Sequence, residues 1–139
     1  MDIQVAAGLI KEAVAEKEAI WADLGAGTGT FTQALQHILP KGTVYAVDKS
    51  PHALWRLPKH DSVPMEIVDA DFTKPLSLPP LDGLLMANAL HYVDQAAGLL
   101  KNLLPLLKPG GTFLLVEYET RRPRPPWIPY PIPFDQFIA

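Results

Sequence analysis

A doubly wound α/β fold around a parallel sheet is what this 139-residue sequence predicts, and three observations carry the prediction. Short β-compatible apolar runs alternate with stretches of helical apolar spacing, the order that gives parallel strands joined by right-handed crossovers, with helices on both faces. A glycine-rich turn, Gly25-Ala-Gly-Thr-Gly29, joins the first apolar run to the helix after it. Acidic residues, Asp48 and Asp71, follow the next two runs, so side chains distant in sequence converge at the carboxyl edge of one sheet.

The first element is a helix from Asp2 to about Lys17: Ile3, Ala6, Ala7, Ile10, Ala13 and Val14 repeat at helical spacing, and Asp2 is available as N-cap. Ile20 to Leu24 reads as the first strand. After the glycine turn, Phe31, Ala34, Leu35 and Ile38 mark one face of a second helix, which Leu39-Pro-Lys-Gly42 ends. Thr43 to Val47 is the second strand, and a short helix from Pro51 to about Leu57 has proline in its first turn. Met65 to Val68 is the third strand. Thr73 to Pro80 holds three prolines and is expected to be irregular. Leu81 to Ala87 is a buried fourth strand. A helix from Val93 to Leu107, capped by Asp94, closes at Lys108-Pro-Gly-Gly111, and Thr112 to Tyr118 is a fifth strand. Thr120 to Pro133, with six prolines and three arginines, is a linker or a lid. The division expected is therefore a core of residues 1–120 and a Pro-rich segment of residues 121–139.

Composition narrows the function. The net charge of −3 gives no general attraction to phosphate backbones, so nucleic acid is not expected and a small-molecule substrate is. With no cysteine, disulfide frameworks and cysteine-based nucleophiles or metal sites are excluded. No apolar run approaches the roughly 20 residues of a membrane span and no signal-peptide order opens the chain, so a cytoplasmic protein is expected. No metal-ligand spacing is present.

The glycine turn is where chemistry is expected. Without Cβ atoms, Gly25, Gly27 and Gly29 allow a tight turn and let a ligand approach free N–H groups at the start of the next helix. The spacing is G-x-G-x-G, not the G-x-G-x-x-G of dinucleotide sites, and Asp23 just before the turn suits a cationic ligand better than a pyrophosphate. Asp48 lies 23 residues after Gly25, near the offset at which a carboxylate accepts hydrogen bonds from a ribose diol; a turn-forming Asp before Lys49-Ser50-Pro51 is the other reading.

Asp23-Leu-Gly-Ala-Gly-Thr-Gly29 resembles the first motif of the class I, Rossmann-like, S-adenosylmethionine-dependent methyltransferases. Asp71-Phe72 resembles the family's adenine-binding pair, with Asp69 as the rival acid. Asn88-Ala-Leu-His-Tyr92 resembles its fourth motif, and Leu-Lys-Pro-Gly-Gly-Thr-Phe113 the stretch that leads into its fifth strand. The resemblance covers nearly everything up to Tyr118.

It implies strand order 3-2-1-4-5 and S-adenosyl-L-methionine as cofactor. The binding positions it implies are Asp23, Gly25, Ala26, Gly27, Gly29, Asp48, Lys49, Asp71, Phe72 and Asn88. His91 is the catalytic candidate, placed to orient an acceptor or take its proton; a packed or capping histidine is the alternative. The family usually continues with a helix and an antiparallel hairpin, which this sequence lacks after the fifth strand. The fifth strand is therefore expected at a sheet edge, and a homodimer would form through that edge or the Pro-rich segment. Methyl transfer to a small-molecule acceptor is the function implied. A cofactor- or nucleotide-binding module without catalysis is the alternative, and a nicotinamide-dependent oxidoreductase is a third reading that the glycine spacing disfavours.

Overall fold

The structure, a computed structural model, describes residues 2–87 and 96–116. Its elements run α1 (Ile3–Ile10), β1 (Ala19–Leu24), α2 (Thr30–Ile38), β2 (Gly42–Asp48), a 3-10 turn (Pro51–Arg56), β3 (Met65–Asp69), β4 (Leu81–Ala87), α3 (Ala96–Leu103), a short 3-10 turn (Leu104–Leu106) and β5 (Leu107–Val116). The five strands form one sheet in the order β3-β2-β1-β4-β5, and every neighbouring pair is parallel. This is the predicted order. β1 lies at the centre, in register with β2 from Ala19↔Gly42 to Leu24↔Val47 and with β4 from Trp21↔Gly83 to Asp23↔Leu85.

Strand alternation sends side chains to two cores. Trp21, Val44 and Leu85 pack with Ala6, Ile10, Ala34 and Leu35 of α1 and α2 on one face. Ala22, Leu24, Val47, Leu84 and Met86 pack with Leu99 and Leu103 of α3 on the other. The crossover from β3 to β4, residues 70–80, contains no helix. There the proline-containing stretch 73–80 lays Leu76 and Leu78 against the α3 side of the sheet, an irregular connection doing a helix's work of excluding water.

Four elements differ from expectation, among them α3, which ends at Leu103 and passes into the 3-10 turn Leu104–Leu106 instead of running on to Leu107. Asp2 caps α1 as predicted, its Oδ1 accepting the Val5 N–H at 2.8 Å, but the helix ends at Ile10 and not near Lys17. The chain turns there so that Val14, fully buried, reaches the same core as Ile10 before Ala19 enters the sheet; packing outweighs the helical spacing of Ala13 and Val14. On α2, the fully buried positions include Thr32 and Gln36, while Phe31 and Ile38 are half-buried. Both buried polar groups are satisfied, Gln36 by donating to the Val63 carbonyl at 2.8 Å. Finally, β5 begins at Leu107 and not at Thr112. Between the pairs Leu81↔Leu107 and Gly83↔Thr112, β4 advances two residues and β5 advances five, so Lys108-Pro-Gly-Gly111 is accommodated as a bulge in the strand. Asp94, Glu117, Tyr118 and the Pro-rich segment 121–139 lie outside the described residues.

Two residues near the amino end of β4 hold the sheet centre together. Asp82 Oδ2 accepts the Ile20 N–H at 2.8 Å and its carboxylate pairs with Lys108, so one side chain ties β4 to β1 and β5. Gly83 lies against the indole of buried Trp21, and a Cβ there would overlap the ring. Gly83→Ala is therefore expected to destabilise the fold by about 1–3 kcal/mol through overpacking. Urea denaturation followed by Trp fluorescence measures the loss.

Candidate functional site

The turn after β1 is built from the ends of two strands. Gly25, Gly27 and Gly29 all have positive φ, at 76°, 59° and 86°. The N–H groups of Gly25 and Ala26 both donate to the Val47 carbonyl, at 2.8 and 3.0 Å, and the Gly27 N–H donates to Asp48 Oδ2 at 2.8 Å. The glycines serve different ends. At Gly29, the N-cap of α2, a side chain would overlap Leu57 and crowd Leu54, so this position is small because the turn at Pro51–Arg56 packs over it. At Gly27 a Cβ would meet nothing within 4 Å, so its open face is the side from which a ligand can approach backbone.

Asp48 forms the turn that is one of the two readings of this residue, and it stands at the carboxyl end of β2. Its Oδ1 accepts the Ser50 N–H at 2.8 Å while Oδ2 holds Gly27. Each carboxylate oxygen has a second lone pair, so acceptor capacity for a diol is retained. Asp71 follows β3 by two residues and caps its own turn, Oδ1 accepting the Thr73 hydroxyl at 2.6 Å and the Thr73 N–H at 2.9 Å. Those bonds, with the nearby Lys49 ammonium in a lesser role, hold the Asp71 carboxyl below the usual carboxylate range. Asp71 is thus anionic, with Oδ2 outside its own turn. Asp69, the rival acid, is the exposed last residue of β3, in register with Asp48. Phe72 is half-buried against the α3-side core, at the rim of a cavity of about 370 Å³ between residues 73–76 and α3.

Asp23 lies elsewhere than in an open crevice. It is 1% exposed, between Ala46 and Leu85 in the sheet, and its Oδ2 accepts the Thr32 hydroxyl at 2.7 Å. Burial pushes its carboxyl up to about 6, with the bond from Thr32 opposing the shift and the charge of Asp48 adding to it. A charge expected beside the ligand is therefore held under the turn. Thr32 itself was not singled out by the helical pattern. The signal that could have marked it is a polar residue one turn before the buried pair Leu35 and Gln36, nine positions after an acid.

Gly25, Ala26, Gly27, Gly29, Asp48, Lys49, Asp71 and Phe72 all fall at the carboxyl ends of β1, β2 and β3. Asn88 and His91 lie outside the described residues. Among the described residues no group of three or more His, Asp or Glu is arranged to hold a metal ion.

The Asp23 environment sets a pH dependence of stability. Because its folded-state carboxyl is raised from 3.8 to about 6, the native state holds this proton more tightly than the unfolded chain between those values. Its contribution to stability is thus fully present below about pH 4 and falls as pH rises to about 6, a loss on the order of 1–3 kcal/mol. Asp23→Asn is expected to flatten that segment of the stability profile, measured by denaturation at pH 4.5 and 7.5.

Comparison with known proteins agrees with this geometry. The family described as "Methyltransferase domain" matches residues 22–113, well over half of the chain. A carboxy-S-adenosyl-L-methionine synthase of Pseudomonas paraeruginosa is 31% identical over 123 residues, covering 79% of this chain and 48% of the synthase. A release factor glutamine methyltransferase of Mycolicibacterium smegmatis is 36% identical over 98 residues, covering 66% of this chain and 34% of its own. The chain thus spans half or less of these curated relatives. In fold it resembles an S-adenosylmethionine-dependent methyltransferase from Aquifex aeolicus, with a TM-score of 0.71, 19% identity, and coverage of 99% of this chain and 84% of that one. With a matching sequence family, a parallel 3-2-1-4-5 sheet and a glycine turn braced by the acid after β2, the chain belongs to the class I S-adenosylmethionine-dependent methyltransferases.

Proposed function

We propose that this domain binds S-adenosyl-L-methionine at the carboxyl edge of the sheet and transfers its methyl group to a small-molecule acceptor. The observation that carries the reading is the junction of β1 and β2. There the open face of Gly27, the Asp48 carboxylate bonded to the Gly27 N–H, and Asp71 at the end of the adjacent strand offer acceptors for a diol and an amino group. The acceptor set suits the cofactor: among the described residues assigned to the site, the carboxylates Asp48 and Asp71 outnumber the one nearby cation, Lys49, which favours a cationic adenosyl ligand over a pyrophosphate. A relative that makes a derivative of this cofactor, at 31% identity, adds support.

When bound, the cofactor supplies an activated methyl on a sulfonium, so little acid-base chemistry is asked of the protein. Asp48 orients the ribose while keeping the glycine turn closed. Asp71, or Asp69 beside it, meets the adenine amino group, and Phe72 gives the ring an apolar neighbour. The hydrogen bonds from Thr73, with Lys49 in a lesser role, keep Asp71 ionised. Asp23 acts from below the turn through a weakly screened field. Asn88 is assigned to the reactive end of the ligand and His91 to the acceptor, where it holds the nucleophile in line or takes its proton. Residues 121–139 are assigned to a linker or lid beyond the 1–120 core.

Three experiments test this. Calorimetry is expected to give at least tenfold tighter binding (~1.4 kcal/mol) for S-adenosylmethionine or S-adenosylhomocysteine than for NAD, and equal or tighter NAD binding would sink the reading. Asp48→Asn places an amide where two N–H groups need acceptors. It is expected to weaken cofactor binding by roughly 1–3 kcal/mol and also to lower the melting point of the ligand-free protein. For His91→Ala, turnover in a labelled-methyl screen against cell metabolites is expected to fall tenfold or more with cofactor affinity unchanged. Cofactor binding with no acceptor methylated in any extract would favour the non-catalytic binding module.

A further inference from the structure

The most deeply buried acid of the site has a donor that the site as assigned above does not use. Thr32 is fully buried in the first turn of α2, and its hydroxyl donates to Asp23 at 2.7 Å, the short separation of an O–H to carboxylate bond. We propose that Thr32 is a positioning residue whose hydroxyl holds Asp23 as a carboxylate beneath the glycine turn, and that this fixed charge makes the site prefer a sulfonium ligand to the neutral thioether left after transfer. The inference rests on the cofactor assignment above and goes beyond it by assigning product discrimination to a pair of buried groups.

The surroundings of Asp23 leave Thr32 the decisive role. On the sheet its neighbours are Ala46 of β2 and Leu85 of β4, both buried and apolar. From the end of β2 the Asp48 carboxylate opposes its ionisation. α2 brings His37 only in its last turn, whereas Thr32 is in its first, and the one acid of β4, Asp82, is engaged at the other end of the sheet with Ile20 and Lys108. Among the described residues, then, the groups that favour the charged form are the hydroxyl and N–H of Thr32. Because Gly29 is the N-cap of the same helix, the donor is fixed relative to the turn. A carboxylate in so apolar a setting acts on a nearby cation with little screening. S-adenosylmethionine and S-adenosylhomocysteine share the ammonium and carboxylate and differ by the sulfonium charge, so the buried anion favours the first. As pH falls and Asp23 takes up a proton, that preference should fade.

The test follows the Asp23 carboxyl carbon by NMR titration in the ligand-free wild type, Thr32→Val and Thr32→Ser, and measures the affinities of both ligands by calorimetry. Thr32→Val, which keeps shape and removes the hydroxyl, is expected to raise the Asp23 midpoint by about one unit or more, while Thr32→Ser stays near wild type. The ratio of S-adenosylmethionine to S-adenosylhomocysteine affinity at pH 7.5 is expected to fall ~3- to 10-fold in Thr32→Val, to recover in Thr32→Ser, and to fall similarly in wild type between pH 7.5 and 5. An Asp23 midpoint unmoved by Thr32→Val overturns the positioning role. Should Thr32→Val not fold, wild type and Asp23→Asn decide: a ratio independent of pH in wild type, or one still pH-dependent in Asp23→Asn, overturns the proposal. If neither ligand binds, the cofactor assignment and the discrimination built on it fail together, whereas the titration midpoints report separately on whether Thr32 sets the charge.

Discussion

Three consecutive backbone N–H groups, those of Gly25, Ala26 and Gly27, are taken up by the last two residues of β2, and the rest of the site depends on that arrangement. A turn of three positive-φ glycines has high conformational freedom in the unfolded chain and no side chains to pack. Its shape has to be imposed from outside, and the neighbouring strand imposes it. Because β1 and β2 are parallel and in register to their carboxyl ends, the Val47 carbonyl and the Asp48 carboxylate arrive where the turn needs acceptors. The turn at Pro51–Arg56 then seats Leu54 and Leu57 over Gly29, fixing the start of α2.

This bracing has an electrostatic side. Asp48 and Asp23 are close enough for their charges to oppose one another, so the site carries repulsion when no ligand is present. The two acids resolve it differently. Asp48 is partly exposed and draws on two backbone donors, while Asp23 is sealed in the sheet and draws on Thr32. The apolar interior that makes Asp23 costly to ionise is also what gives its charge reach.

Most of the architecture was legible because it is written in local pattern: strand periodicity and proline and glycine punctuation marked the alternating elements of a parallel sheet, and the resemblance carried by the glycine turn implied the order of its strands. What the sequence did not disclose depends on contacts between distant segments. Nothing near Asp82 announces that it will accept the Ile20 N–H, 62 positions away, and nothing near Gly83 announces the indole of Trp21. The early end of α1 is set by where Val14 must pack, and the burial of Asp23 by the apolar neighbours Ala46 and Leu85, which belong to other strands. The start of β5 at Leu107 departs from the local pattern for the opposite reason. Pro109 and Gly110 carry a strong local turn signal, and the sheet absorbs it as a bulge.

The central position of β1 also has a consequence for how the chain assembles. Its pairing with β2 first joins Ala19 to Gly42, a separation of 42 − 19 = 23 residues, whereas its pairing with β4 first joins Trp21 to Gly83, a separation of 83 − 21 = 62. Loop-closure entropy alone makes the second contact harder by about 0.9 kcal/mol, so the side of the sheet that closes more readily is the one containing the glycine turn, Asp48 and α2. The β4–β5 side, reached through the proline-containing stretch 73–80, has then only to dock onto an edge already shaped. Chain entropy thus favours assembling the half of the domain that carries the glycine turn before the half that completes the sheet around it.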